Sequence, residues 1–402
     1  MNWSALVLPK KQIMKIILGT LFILISTLSI SQKPQKVYSI VMERRELSWY
    51  EEQEELWKKE IEKNLNNTDA WFYYYEAVRA QYNLTPWSDE SKETFKPKLD
   101  SITTKAYEYN PDTFEGNFMM YRNFGNLAVG GSDGYFKYLE KAYELDPYDS
   151  RSYDLFAVHY EIQREVEKFQ EFCIKFYNSN EIAGFIYNWA YNLLSGLDEN
   201  AILFLGGDND TFSCWALQNA KKIRPDVHLL NTSLLTVDDY RISIFKELEI
   251  EQFEGRLDSC KTNEEWGDKW NQIFDHFFKN NKGYPVYVST TCIQQFEDEF
   301  GDSLYLTGLA YKYSDESFDN ISIIRRNYEN RYLMDYLDIQ FGFHIQNGKI
   351  DQLNATYLPS MLKLYQHYKD CEDQFKMSEL KPKIVDISKK IGQYEDVKDI
   401  VE

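Results

Sequence analysis

Ala201-Ile202-Leu203-Phe204-Leu205-Gly206-Gly207-Asp208-Asn209-Asp210-Thr211 is the stretch that decides how this 402-residue chain is read. An apolar run stops at two glycines, three polar side chains follow at once, and a helix-like segment, Phe212 to Ile223, comes next. An unbroken apolar run this short reads as a strand buried on both faces. The glycines make a tight turn, and the positive end of the helix then faces whatever the turn holds.

Downstream, Arg224-Pro225-Asp226 ends the helix and Val227 to Leu230 is a second apolar strand. A β-α-β unit of this length implies parallel strands. Val237 to Leu248 is the next helix, and Glu264 to Asn280 places Trp266, Trp270, Ile273, Phe274 and Phe277 on one amphipathic face. Pro285 to Ser289 is the third strand, ending at Thr290-Thr291.

Open parallel sheets bind ligands beyond the carboxyl ends of their strands. Here those ends offer Asp208, Asn209, Asp210, Thr211, Asn231, Ser233, Thr290 and Thr291 as candidate ligand-binding residues. Asp208 and Asp210 beside an Asn suit a divalent cation, which prefers oxygen ligands, and a carboxylate there can also act as a general base or fix sugar hydroxyls. A phosphate loop is excluded, because there is no G-x-G-x-x-G and no Lys after the glycines. A structural role stands beside these: Asp210 or Thr211 caps the helix while Asp208 holds the loop through backbone amides. No catalytic residue is assigned.

Upstream, Lys105-Ala106-Tyr107-Glu108-Tyr109-Asn110-Pro111 is echoed 36 residues later by Lys141-Ala142-Tyr143-Glu144-Leu145-Asp146-Pro147. The small Ala lets two helices approach closely, and [ND]-P ends each helix, because the residue before proline avoids helical angles. This resembles tetratricopeptide repeats, whose period is about 34 residues. Asn66 to Trp71 reads as a third, degenerate turn with Thr68 or Asp69 as cap, and Gly130 to Gly134 as a loop. With 31 Tyr, 25 Phe and 9 Trp, most at helical spacing, flat rings fill the gaps between stacked helices. Such arrays bind protein segments or brace a neighbouring domain.

Lys10, Lys11 and Lys15 precede an uncharged run, Ile16 to Ile30, which reads as a secretory signal peptide over residues 1–31, with a single membrane anchor as the alternative. Export to the periplasm or cell envelope follows. A formal net charge of -19 argues against nucleic acid as a partner, since the body of the chain repels phosphate backbones. Five scattered cysteines without a C-x-x-C pair give neither a disulfide framework nor a zinc site. No other segment is long enough to span a bilayer, so no multi-span membrane region is expected.

Asp198 to Leu235, with G-D-N-D-T-F, W-A-L-Q, I-R-P-D-V and N-T-S-L-L, resembles the soluble C-terminal region of a Gram-negative bacterial membrane family related to a eukaryotic transmembrane protein O-mannosyltransferase. Tyr284 to Tyr287, Leu304 to Tyr311, Leu353 to Tyr357 and Leu362 to Tyr368 extend the likeness almost to the end of the chain. Glycosyl transfer in that family is expected in a multi-span membrane half, so the resemblance implies a shared soluble module and not the transferase activity. Thr307 stands where the resemblance leads one to expect an acid.

The expected architecture is α and α/β. A tetratricopeptide-like array (37–196) leads into a Rossmann-like three-layer α/β domain with a parallel sheet (198–314), closed by C-terminal helices (315–402). Within these helices Arg325, Arg326 and Arg331 can receive an acidic partner or a sugar acid, but on an acidic chain they are expected to pair with neighbouring carboxylates at the surface. The expected function is non-catalytic binding or assembly, with the array contacting protein and the α/β module holding a small polar or glycan ligand. A metal-assisted hydrolase or transferase centred on Asp208 and Asp210 is the alternative. An accessory subunit of an envelope glycosylation or secretion complex is a further one.

Overall fold

The computed structural model describes residues 33–86, 88–125, 134–339 and 344–402. The expected signal peptide lies outside the described residues, as does most of the expected glycine-rich loop. The chain forms two compact units. One holds Glu46–Ile102 with the segment ending at Tyr38, and the other holds Ser39–Arg45 and Thr103–Glu402.

In the first unit α1 (Leu47–Lys63) packs on α2 (Thr68–Leu84), burying Tyr50, Ile61, Trp71, Tyr75 and Val78. The buried Gln81 amide donates to Glu54 at 2.9 Å, so this polar pair is satisfied inside the seam. Asn67 caps α2, its side chain accepting from the Ala70 amide at 3.1 Å. The cap therefore lies one residue before Thr68, the earlier of the two expected positions. The Asn67 carbonyl reaches the third helical amide, whereas Thr68 and Asp69 are already helical.

Helix α3 (Lys92–Tyr109) belongs to both units. The second unit continues with α4 (Phe114–Phe124), α5 (Phe136–Leu145), α6 (Tyr153–Gln163), α7 (Val166–Ser179) and α8 (Gly184–Ser195). Helix α4 packs on α5, and α6 on α7. Helices α3 and α5 end at Tyr109 and Leu145, each two residues before its proline, and Ala106 and Ala142 are fully buried. The repeated motif thus does the same work twice: a small residue for close approach, then a stop.

The sheet is built from β1 (Ile202–Leu205), β2 (His228–Asn231), β3 (Val286–Ser289), β4 (Leu304–Leu306) and β5 (Ala310–Tyr313), in the order β2-β1-β3-β5-β4. Strands β2, β1 and β3 run parallel, as β-α-β spacing dictates, with Leu203 beside Leu229 and Tyr287. Strands β5 and β4 add an antiparallel hairpin, with Lys312 beside Tyr287 and Tyr305, so the sheet is mixed and not wholly parallel. The hairpin turns at Gly308, which has φ +141°; a Cβ there would lie 2.2 Å from the Tyr332 hydroxyl. Its strands, Leu-Tyr-Leu and Ala-Tyr-Lys-Tyr, are mostly half-buried and flank Thr-Gly, so they lack the continuous apolar run by which the other strands read in sequence.

All four residues of β1 and of β3 are buried, and strand side chains alternate between faces, so both faces of the sheet are covered. Phe204 meets Phe274, Phe277 and Phe296 at centroid distances of 5.2, 5.0 and 5.8 Å; the first two come from α11 (Asn263–Asn280). Helix α9 (Asp208–Lys221) links β1 to β2 and packs on α7 and α8, while α10 (Asp238–Glu247) follows β2.

The C-terminal helices belong to the same compact unit as the sheet. They are α12 (Asn320–Arg326), α13 (Asn347–Ala355), α14 (Leu358–Asp370), α15 (Gln374–Lys390) and α16 (Tyr394–Val401). The Trp189 indole donates to Thr356 at 3.0 Å, and Asn192 donates to the Leu333 carbonyl at 2.9 Å and the Tyr357 hydroxyl at 2.7 Å. Helices α13 and α14 are separate elements, and Pro359 opens α14, where a proline suits the first turn. Among the described residues no helix is long and apolar enough to cross a membrane.

Candidate functional site

The turn after β1 is tight because its backbone is crowded. A Cβ on Gly206 would lie 2.3 Å from the Cβ of Cys292, so only glycine fits. Gly207 is the cap position of α9, and Asp210, third residue of the helix, reaches back over the turn. Its carboxylate accepts from the amides of Gly206 (3.1 Å), Gly207 (2.8 Å) and Thr211 (2.8 Å), and from the Thr291 hydroxyl. Asp210 is 2% exposed. Burial pushes its carboxyl up, the four donors pull it down, and burial prevails.

The neighbouring candidates also bond within the fold. Asn231 donates to the Thr211 hydroxyl at 2.9 Å and accepts from the Leu234 amide at 3.1 Å. Thr290 donates both its amide and its hydroxyl to the Leu309 carbonyl. Asn209 donates to the Val41 carbonyl at 3.2 Å. The structure thus joins Asp210, Thr211, Asn231 and Thr291 into one network, while Thr290 belongs to the β3–β5 pairing. Asp208 and Ser233 are exposed at the same edge. Loop-holding and the reach back to the cap amide both fall to Asp210. Thr307, at the hairpin, is 2% exposed and donates its hydroxyl to Ala310 at 2.8 Å, a turn-fixing role.

Asp208 has charged neighbours that sequence spacing does not reveal. Asp154, on α6, is partly exposed, yet burial pushes its carboxyl up to about 6, with Asp208 and Glu181 adding to the rise and Arg122 opposing it. Lys349, on α13, is held below its ordinary value by burial and by Arg44, and Asp208 partly offsets this. The edge around Asp208 is therefore of mixed charge, with one carboxyl titrating close to neutrality. These residues lie 54 positions before and 141 after Asp208, on helices whose docking the sequence pattern does not specify. Among the described residues no group of three or more His, Cys, Asp or Glu could hold a metal ion. All five cysteines are free thiols, and Cys173, Cys214 and Cys292 are buried.

Residues 186–249 match the family model described as TMEM260-associated domain 2. That stretch is similar to TMEM260-associated domain 2. No curated protein matches the chain. The TMEM260-associated segment takes in most of α8, β1, the Asp210 turn, α9, β2 and the whole of α10, and so contains the parallel β-α-β unit. The tetratricopeptide likeness rests on the repeat spacing and the helix pairs alone.

Two outcomes follow. Asp210→Ala leaves the Gly206 and Gly207 amides without an acceptor, while the Thr211 amide keeps the Gly207 carbonyl at 3.2 Å, and lowers the unfolding free energy by about 2–4 kcal/mol. Asp208→Ala costs about 1 kcal/mol or less, both read by equilibrium urea unfolding. For Asp154 the folded value is raised above its ordinary 3.8, so its contribution is fully present below that pH and is lost as pH rises through about 6. Asp154→Asn removes this dependence. Unfolding curves from acid to neutral pH should show the variant gaining on wild type across that window; a constant difference between the two would refute the assignment.

Proposed function

We propose that this chain is an exported, non-catalytic binding or assembly protein of the cell envelope. The paired helices contact a protein partner, and the exposed polar edge around Asp208 and Ser233 receives a small polar or glycan ligand. The observation that carries the protein-contact role is in the repeat itself. Tyr109 and Leu145 occupy the same motif position and are both exposed, and Tyr148, just beyond the second copy, is 89% exposed. Exposed aromatic side chains supply large contact area at small entropic cost, and protein interfaces are enriched in them. The inward bonding of Asp210, Asn231 and Thr290 supports binding over chemistry, because these groups have already given their polar atoms to the fold. The basic, then apolar, N-terminal stretch supports export. One form of this role is an accessory subunit of an envelope glycosylation or secretion complex, a reading that the similarity to TMEM260-associated domain 2 supports.

The test is a photo-crosslinking amino acid placed at Tyr148 in the full chain, with the exposed aromatic Phe375, 68% accessible, as the control position. A discrete protein adduct from the envelope fraction at position 148, absent at 375 and reduced by Tyr109→Ser with Leu145→Ser, is the expected result. No adduct at 148, or the same adducts at both positions, overturns the protein-contact role.

One observation favours a second reading, a hydrolase or transferase at this edge with Asp154 as its acid–base group: Asp154, with its carboxyl near 6, lies within electrostatic reach of Asp208. Turnover of aryl glycoside and ester panels with and without Mg2+ would then show a rate inflection near pH 6 that Asp154→Asn abolishes. Turnover unaffected by Asp154→Asn and Asp208→Ala, or none at all, sinks that reading.

A further inference from the structure

At the other end of the parallel strands, cationic side chains converge on Leu194–Asp198, where α8 ends and the approach to β1 begins. Arg224 donates to the carbonyls of Leu194 (2.9 Å), Leu197 (3.0 Å) and Asp198 (2.6 Å). Arg331 donates to those of Ser195 (3.0 Å) and Leu197 (3.3 Å), and Arg326 to that of Gly196 (3.5 Å). Lys312 donates to the Asp198 carboxylate at 2.7 Å, which also accepts the Tyr287 hydroxyl at 2.8 Å. Asp198 carries opposed influences: burial pushes it up, but Lys312 and Tyr287, with Arg326 nearby, hold it below its ordinary value.

The charges do not balance. Asp226 pairs with Arg224 and Asp198 with Lys312, while Arg326 and Arg331 have no carboxylate partner among the described residues. They therefore depart from the expected pairing with neighbouring carboxylates. Only Arg325 of the three makes such a contact, to Glu329 at 3.7 Å. Capping the carboxyl end of α8 accounts for about half an elementary charge, which leaves most of two cations uncompensated. The buried Arg326 Nε has no hydrogen-bond partner. Arg331 offers the fold its Nη1 alone, and it sits in a π-helical turn, Asn327–Arg331, of the kind that recurs at functional sites. This local positive excess, on a chain of formal net charge -19, is held by five backbone carbonyls from one short segment, and both arginines stay partly open to solvent.

We propose that Arg326, Arg331 and Lys312, with Arg224 behind them, form a binding site for a phosphate group. A dianion matches the two uncompensated cations, and guanidinium forks approaching from separate elements suit a tetrahedral oxyanion better than a planar carboxylate. Lys312 and Asp198 are partly open to solvent, so the group has an approach. The site lies at the amino ends of β1 and β3, away from the Asp210 turn, and does not depend on the protein-contact role proposed above.

The test titrates the full chain with inorganic phosphate, and in a parallel arm with a hexose phosphate, at constant ionic strength against chloride, following thermal unfolding. Wild type should show a saturable rise in Tm. Arg326→Gln and Arg331→Gln should each weaken the apparent affinity about tenfold or more, as loss of a charge-assisted contact predicts. Arg325→Gln, a neighbouring cation already facing Glu329, should leave it unchanged. A stronger response to the hexose phosphate identifies a sugar phosphate as the ligand; equal responses identify the free anion. No saturable response in wild type, or equal responses in all three variants, overturns the site. Should the Gln variants fail to fold, acetylation of Lys312 in wild type, followed by mass spectrometry, decides instead: phosphate must slow it at this lysine, and an unchanged rate overturns the proposal.

Discussion

The Asp210 carboxylate is the interaction on which the centre of this molecule depends. Its four donors come from the turn after β1, from the first turn of α9 and from the residue that follows Thr290 at the end of β3. One buried side chain therefore fixes where the first strand ends, how the helix begins and where the third strand stops. Hydrogen bonds to a charged acceptor are about twice as strong as neutral ones, and leaving a buried donor unmade is costly. Gly206 is the steric counterpart: the turn closes so tightly on Cys292 that no side chain fits.

The opposite end of the sheet is organised by the carbonyl groups of Leu194–Asp198. There the end of α8 is tied to the loop after α9 through Arg224, to β5 through Lys312, and to the turn after α12 through Arg331. This explains why the C-terminal helices share a compact unit with the sheet. Asn192, Tyr357 and Leu333 extend the same attachment. The edge at Asp208 and the cluster at Asp198 thus differ in charge, in burial and in the elements that build them.

Much of the fold is legible in the sequence wherever local physics is sufficient. The apolar runs at Ile202, His228 and Val286 and the amphipathic helix at Asn263–Asn280 lie within a residue or two of where periodicity puts them. The two K-A-Y-E-x-[ND]-P copies each end a helix where proline demands it. The β4–β5 hairpin is not legible, since only Leu304 and Ala310 of its strand residues are buried and it lacks the unbroken buried run that marks β1 and β3. The candidate site is half legible. The loop residues are identifiable from their place after a buried strand, but Asp154 and Lys349 reach Asp208 only through the docking of α6 and α13, which no local pattern encodes.

The sequence alone therefore determined the element types, the parallel strand-helix-strand unit and the polar loop at its carboxyl edge, because apolar periodicity, glycine and proline act over a few residues. Tertiary structure decided what those polar residues do. Asp208 and Asp210, two positions apart, look equivalent in sequence, yet one faces solvent and the other is buried among four donors. It also decided that Arg326 and Arg331, which look like surface partners for neighbouring acids, face the carboxyl end of a helix more than a hundred residues earlier. The physical reason is the same in both cases: charge and burial are set by every element packed around a group, and those elements are distant in the chain.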